Sequence, residues 1–308
     1  IFCGAGGLSQ GFKNAGFNII AGIDNDQESI ETYAYNFPGA ISSLTDLSQK
    51  LNYDNLDFIN NKIDILVGGP PCQGFSVAGK RMAEDPRNKL YKIYMDLIKT
   101  ISPSALVLEN VPSLRSLYNG YIFKNILSDF KKLDYKTHVW ILNADDYGVP
   151  QSRKRIFIIG LKNNKLLIEP EKTTPINKIT CSMAISDLPA LKNQSGAMEL
   201  DYKNGPNSDY QRIMRMNSKK LYNHWRVEHK EKTIEIIKLV PDGGNYKTLP
   251  KHLQTTRRVN IAWTRMNSSK PCFTIDAGHN HHFHYAANRV PTVRESARIQ
   301  SFQDKFKF

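Results

Sequence analysis

Between Asp64 and Ser76 the chain reads Asp-Ile-Leu-Val-Gly-Gly-Pro-Pro-Cys-Gln-Gly-Phe-Ser, and few folds can use such a stretch. Ile63, Ile65, Leu66 and Val67 make a short apolar run of the kind a buried parallel strand needs. Gly68 and Gly69 stop it. Pro70 and Pro71 lack N–H donors and have fixed φ, so the chain leaves the sheet in a stiff loop. Cys72 stands at the tip, and Gln73-Gly74 keep it off any regular element. An α/β fold presents a nucleophile in this way, at the carboxyl edge of its sheet. A lone cysteine is usually a small buried residue. Two prolines ahead of this one fix a path that packing alone would not require.

The flanking sequence supplies the alternation that such a sheet needs. Phe2-Cys-Gly-Ala-Gly-Gly7 is followed by Leu8, Phe12 and Ala15 at helical spacing, a glycine turn into a helix N-terminus that a ligand can approach closely. The pattern is Gly-x-Gly-Gly, which does not specify a dinucleotide. Residues 17–23 read as a strand ending in Asp24. That aspartate is suited either to ribose hydroxyls or to capping the helix predicted over 27–35. Asp46, after another turn, reads as a loop residue or as a partner for an adenine amino group. Residues 80–89 are polar, with the character of a lid, and 90–101 and 122–133 are helical. The strand predicted over 105–109 ends in Glu109, where a carboxylate is expensive without work or a partner. Strands over 138–142 and 156–160 are joined by a segment in which Arg153 and Arg155 alternate around Lys154, so both can point the same way; a solvated basic turn is the plainer reading.

A chain of 308 residues predicts a large and a small domain. No run approaches the ~20 apolar residues of a membrane span, and no signal peptide is visible. The chain opens on Ile1-Phe2 without methionine, inside an expected strand, so its natural start is expected upstream. Cys3, Cys72, Cys181 and Cys272 are too dispersed for a zinc ribbon or a disulfide framework, which fits a reducing cytoplasm. A net charge of +13 suits a polyanionic partner, nucleic acid first, or a lysine-rich solubilising surface. After Gly160 the strand–helix alternation stops. Residues 162–288 mingle basic and aromatic side chains, as in Asn223-His-Trp-Arg226, Thr255-Thr-Arg-Arg258 and Trp263-Thr-Arg265, which suits phosphate contact and base stacking. His279, His281, His282 and His284 lack carboxylate or thiol ligands at metal-site spacing, so no metal is expected. Thr292 and Glu295 stand at capping-box spacing, opening a helix that returns to the first domain.

Phe2-Cys-Gly-Ala-Gly-Gly, Pro-Pro-Cys72-Gln-Gly-Phe-Ser, Glu109-Asn-Val, Gln151-Ser-Arg-Lys-Arg and Arg294-Glu-Ser-Ala-Arg-Ile-Gln-Ser-Phe302 occur in that order. The order and spacing resemble the DNA (cytosine-5)-methyltransferases, particularly the bacterial restriction-modification type, over nearly the whole chain outside 162–288. The resemblance implies a doubly wound, Rossmann-like α/β fold with a mostly parallel sheet, as in S-adenosylmethionine-dependent methyltransferases. It implies a catalytic domain over 1–161, a smaller irregular target-recognition domain over 162–288, and a return to the catalytic domain over 289–308. It implies Cys72 as nucleophile on carbon 6 of a flipped cytosine, and Glu109 at ring nitrogen 3 and the exocyclic amine, carrying a proton that burial would favour. Arg153 would hold the base oxygen, and Arg155 would order the site. S-adenosylmethionine would meet Phe2, Gly4, Gly6, Asp24 on the ribose, Asp46 on the adenine, Pro70 and Leu90. DNA would meet Gln73, Ser76, which also falls near the cofactor, Arg87, Arg257 and Arg258. The chain ends at Phe308, before a further family motif beginning Gly-Asn that completes the cofactor pocket, and Phe302-Gln-Asp stands where many relatives have Phe-Pro-Asp.

The implied partners are double-stranded DNA, a cognate restriction endonuclease, and a second polypeptide supplying the absent motif; the implied place is the bacterial cytoplasm, at the nucleoid. Three other readings compete. A relative acting on tRNA cytosine is disfavoured by the long recognition region. A non-catalytic DNA-binding protein is disfavoured by the joint presence of Cys72, Glu109 and Arg153. A cysteine hydrolase would want a histidine base beside Cys72, and the histidines cluster late in the chain.

Overall fold

The computed structural model describes residues 1–47, 62–71, 88–163, 165–191, 196–254, 263–275 and 282–308, with 88–89 as backbone alone. The chain divides into two compact units, residues 1–142 with 154–170 and residues 143–153 with 171–308.

The first unit is an α/β layer. Its elements are α1 (Gly7–Asn14), β1 (Ala21–Asp24), α2 (Gln27–Asn36), β2 (Ile41–Leu44), β3 (Ile65–Gly68), α3 (Asn88–Ile101), β4 (Ala105–Asn110), α4 (Tyr121–Lys132), β5 (Lys136–Asn143) and β6 (Lys154–Leu161). β1 and β2 pair in parallel, with Asp24 opposite Leu44. β3, β4, β6 and β5 form a four-stranded sheet in that order. β3 runs parallel to β4, with Gly68 opposite Leu108, while β4 meets β6 antiparallel, with Glu109 opposite Phe157. The sheet is therefore mixed. Residues 1–3 run between its two parts: the Ile1 amino group donates to the Val67 carbonyl at 2.7 Å, and the Cys3 N–H donates to the Ile23 carbonyl at 3.1 Å. This brings the ends of β1, β2, β3 and β4 and the glycine turn to one edge.

Alternation explains the core. Leu106 and Leu108 of β4 face Ile156 and Ile158 of β6 on the buried side. Ile122, Ile126 and Phe130 recur every four residues along α4 and pack into the same cluster with Tyr94, Leu97 and Ile98 of α3. The strand predicted over 17–23 is shorter, because Phe17 turns away to pack edge-on against Phe12, with ring centroids 5.3 Å apart. The helix cap offered to Asp24 belongs to Asp26, whose carboxylate accepts the Ser29 N–H at 2.9 Å.

The second unit holds α5 (Cys181–Ile185), β7 (Gly196–Leu200), α6 (Asp209–Arg215), β8 (Leu221–Trp225), α7 (Glu231–Lys238), α8 (Lys251–Gln254), β9 (Thr264–Arg265), β10 (His282–Phe283) and α9 (Val293–Ile299). β7 and β8 pair antiparallel, β9 and β10 in parallel. One apolar cluster gathers Ile185, Tyr210, Met214, Leu221, Met266 and Ile299; another gathers Ile237, Val240, Leu249, Trp263, Phe283 and Val290.

Residues 289–308, expected to rejoin the first domain, pack in the second unit, and so do residues 143–153. Buried charge is the reason. Arg298 is fully buried and donates to Asp304 at 2.8 and 2.6 Å and to Asp187 at 2.6 Å. Arg294, also fully buried, donates to the carbonyls of Tyr222 at 2.8 Å and Gln303 at 3.1 Å. Thr292 and Glu295 close the predicted capping box. Arg298→Leu should leave Asp304 to the Tyr202 hydroxyl and a 3.9 Å approach of Arg294, and Asp187 to Arg215, costing roughly 3–5 kcal/mol. A denaturant midpoint for the second unit within ~1 kcal/mol of wild type would show that the network carries no net stability.

Candidate active site

The glycine turn is built by conformation and by crowding. Gly4 and Gly6 have φ of +51° and +99°, and the turn is closed by the Gly6 N–H donating to the Cys3 carbonyl at 3.0 Å. A Cβ on Gly6 would stand 2.4 Å from the Phe37 ring, whereas one on Gly4 would meet nothing within 4 Å. Gly6 thus seats the turn on α2, and Gly4 keeps an open approach to its backbone. Gly6 is also the N-cap of α1, where it offers no side chain, and the first turn of α1 carries no acidic residue. This helix end is suited to a ligand carboxylate.

Asp24 ties the turn to β1. One carboxylate oxygen accepts the Gly4 N–H at 2.7 Å; the other accepts from Asn25 at 2.9 Å and Asp26 at 3.2 Å. A carboxylate can take about four donors, so the oxygen facing Gly4 keeps room for a hydroxyl. Asp46 lies exposed, two residues beyond Leu44, which pairs with Asp24. Phe2, with φ of +53°, and Leu90 pack against the apolar core of this unit. The residues present fit S-adenosylmethionine: an open glycine backbone, an uncapped helix start for its carboxylate, and an aspartate with acceptor capacity for its ribose.

On the same sheet edge β3 passes through Gly68 and Gly69 into buried Pro70. The Pro70 carbonyl accepts from Asn110 Nδ2 at 2.9 Å, while Asn110 Oδ1 accepts the Val111 N–H at 2.8 Å. Asn110 was not among the expected site residues. Its signal was available: a polar side chain at the next position after Glu109, hence on the opposite, buried face of β4. Glu109 itself faces Arg155, two residues before its cross-strand partner Phe157 on β6, at Oε1–Nε 2.9 Å. A Cβ on Gly69 would stand 3.3 Å from Glu109 Oε2, so glycine there leaves room for the carboxylate beside the approach to the loop. Deep burial is not its setting: the Glu109 side chain keeps 22% exposure beside a guanidinium.

Arg153 falls in the other unit. Its carbonyl accepts the Ala144 N–H at 3.0 Å, and the preceding residues run along 272–274, with Ser152 donating to the Cys272 carbonyl at 2.7 Å and Cys272 to the Pro150 carbonyl at 2.9 Å. The alternation around Lys154 therefore separates the two arginines, one in each unit. Cys72, Gln73, Ser76 and Arg87, the lid over 80–87, and Arg257 and Arg258 lie outside the described residues. Two other cysteines are poor nucleophiles: burial pushes the Cys3 thiol up to about 12, and contact with Cys181 together with burial raises that of Cys272. Among the described residues no group of three or more His, Cys, Asp and Glu side chains could hold a metal ion, and no helix is long and apolar enough to cross a membrane.

Residues 1–308 match the family described as C-5 cytosine-specific DNA methylase. The type II methyltransferase M.DdeI of Desulfomicrobium norvegicum is 36% identical over 327 residues, covering 100% of this chain and 79% of that protein. The type II methyltransferase M1.HphI of Haemophilus parahaemolyticus is 35% identical over 313 residues, covering 100% and 78%. Among solved structures, a DNA modification methyltransferase encoded within an E. coli prophage superposes with a TM-score of 0.79 at 28% identity, over 100% of this chain and 88% of that one. The S. pombe Dnmt2 methyltransferase is similar in fold, with a TM-score of 0.60 at 16% identity over 100% and 86%.

Proposed function

The chain belongs to the C-5 cytosine-specific DNA methylase family, and from that membership we propose how its own residues carry the reaction. The enzyme is a DNA (cytosine-5)-methyltransferase, and S-adenosylmethionine is its methyl donor. Bound, that cofactor supplies an electrophilic methyl group on a sulfonium. Gly4, the start of α1 and Asp24 bind it, with Asp46 toward the adenine. Cytosine carbon 5 is a weak nucleophile, and carbon 6 is out of reach in a stacked duplex, so the base is flipped out. The Cys72 thiolate adds to carbon 6 while Glu109, having taken up a proton from solvent, hydrogen-bonds the exocyclic amine and passes that proton to nitrogen 3. The ring becomes an enamine, and carbon 5 would take the methyl group as its bond to the sulfonium breaks, leaving a neutral thioether. Loss of the carbon 5 proton to a base expels Cys72 as thiolate and restores the aromatic ring. Arg155 orders Glu109, and Arg153 holds the base oxygen.

The observation that carries this reading is the adjacency of Glu109 to Gly69, with Asn110 fastening the Pro70 carbonyl two residues before Cys72. Addition at carbon 6 requires an acid group near the nucleophile, and Glu109 lies beside the backbone that leads into the Cys72 loop. The second unit, residues 143–153 with 171–308, reads the target sequence, Arg257 and Arg258 contact DNA, and methylation shields host sites from a cognate endonuclease in the cytoplasm. Transfer of tritiated methyl from S-adenosylmethionine to duplex DNA tests the reading. Label on cytosine carbon 5 is expected; label on tRNA alone, or DNA binding without label, overturns it. Asp24→Ala should weaken S-adenosylmethionine binding about 10–100-fold by calorimetry, since a charge-assisted hydroxyl contact and the tether to Gly4 go together. Unchanged affinity would move the ribose elsewhere.

A further inference from the structure

The chain passes from β10 to α9 through residues 284–292, and four donors of this segment end on histidine rings. Nδ1 of His284 accepts the N–H groups of Ala286 and Ala287, both at 3.0 Å. Nε2 of His229 accepts the Val290 N–H at 3.2 Å. His224 is buried with Nε2 at 2.9 Å from the Pro189 carbonyl and Nδ1 at 2.9 Å from the Thr292 hydroxyl. The partners settle the tautomers. A backbone N–H only donates, so the ring atom facing it must be a lone pair; a carbonyl only accepts, so Nε2 of His224 carries the proton and Nδ1 receives the Thr292 O–H. That hydroxyl accepts the Glu295 N–H at 3.1 Å, consistent with its donating to the ring. His284 and His229 hold the segment only while neutral, because their partners are N–H groups; His224 keeps its Thr292 contact in either state, since the hydroxyl can also accept.

The surroundings oppose a second proton on each ring. His284 faces Arg289, Arg265 and His224, with Glu295 as the one acidic neighbour, 3.7 Å from its Nε2. Glu295 is already engaged by both Arg289 amino groups at 2.7 Å and by the Thr292 N–H at 2.7 Å. His229 faces Arg289 and Arg226; His224 faces Glu295, Arg289 and Arg298. Arg265 grips the other side of the segment through the carbonyls of His284 at 2.9 Å and Ala287 at 3.0 Å, and Arg265 does not titrate in this range. Burial lowers all three histidines.

We propose that residues 284–292 are a proton-operated latch, fastened while His229 and His284 are neutral and released when they take up protons. The sign follows from the lowered values in the closed state. A released ring protonates near its ordinary value of about 6.5. The latch is at full strength above that and weakens as pH falls through it, each ring favouring release by about 10-fold per pH unit until its own depressed value is reached. The two rings together approach a ~100-fold change per unit.

Hydrogen exchange on the full chain, corrected for intrinsic rates, reads this directly between about pH 7.5 and 5.5. The peptide spanning 284–292 should lose protection at least ~10-fold more than the peptide covering β4. The double variant His284→Asn, His229→Gln keeps a side-chain oxygen where each acceptor nitrogen stands but cannot titrate, and should hold protection to lower pH. Equal loss in 284–292 and β4 overturns the latch, and so does a double variant that opens over the same range as wild type. Should the variant not fold, the ring-proton NMR titration of wild type decides: His229 and His284 titrating independently near about 6.5 refute the proposal, and titration displaced downward together with loss of segment protection supports it.

Discussion

Methyl transfer by Cys72→Ser is expected to fall by at least ~10⁴-fold, the scale on which removal of a covalent nucleophile is felt. A serine hydroxyl is almost never ionised near neutrality, and an alkoxide formed on demand needs a base close by. Among the described residues, Glu109 is the carboxylate beside the Gly69–Pro70 approach to the loop, and it faces Arg155. Nor can another thiol stand in: Cys3 is held as thiol by burial, and Cys181 and Cys272 lie buried against each other in the second unit. The variant should still bind S-adenosylmethionine as wild type does, because Gly4 and Asp24 belong to a different part of the sheet edge. Tritium transfer beside calorimetry separates the two effects. Residual transfer above about one part in a hundred with intact cofactor binding would remove Cys72 from the covalent role.

The elements that bear on this site were legible wherever local chemistry decides structure. Gly4 and Gly6 adopt the positive φ that a glycine turn announces, and β4 ends one residue past its expected limit, with Glu109 at the functional edge. Thr292 and Glu295 form the capping box that their spacing predicts. What could not be read is what depends on distant partners. Arg294 and Arg298 carry no sequence sign of their partners, yet Asp187 and Asp304 hold Arg298, and the carbonyls of Tyr222 and Gln303 hold Arg294, in the interior of the second unit. The spacing of the late histidines argued against a metal, but nothing in it told that the lone pairs of His284 and His229 are spent on backbone N–H groups. Asp24 and Asp26 are nearly interchangeable in sequence; only the chain path shows that Asp26 caps α2, which leaves Asp24 to the glycine turn. Arg153 and Arg155 share a motif but not a unit, because β6 begins between them.

Glu109→Gln should cost ~10²–10⁴-fold in kcat, the range for a lost general acid, with little change in cofactor affinity. Glutamine keeps the size and can still accept from the exocyclic amine, so the base remains recognised; what is lost is a transferable proton at nitrogen 3. Arg155 then has no carboxylate to face, and the pair acts as a unit: Arg155→Met alone should lower kcat through a Glu109 that is no longer oriented, and the double variant should be no slower than Glu109→Gln by itself. That non-additivity distinguishes an orienting arginine from one that touches the substrate independently, for which the two losses would multiply. Single-turnover rates on a duplex substrate provide the measurement, since they exclude product release. Multiplying losses would assign Arg155 its own contact with the base, and a Glu109→Gln enzyme within ~10-fold of wild type would shift the proton to nitrogen 3 onto another donor.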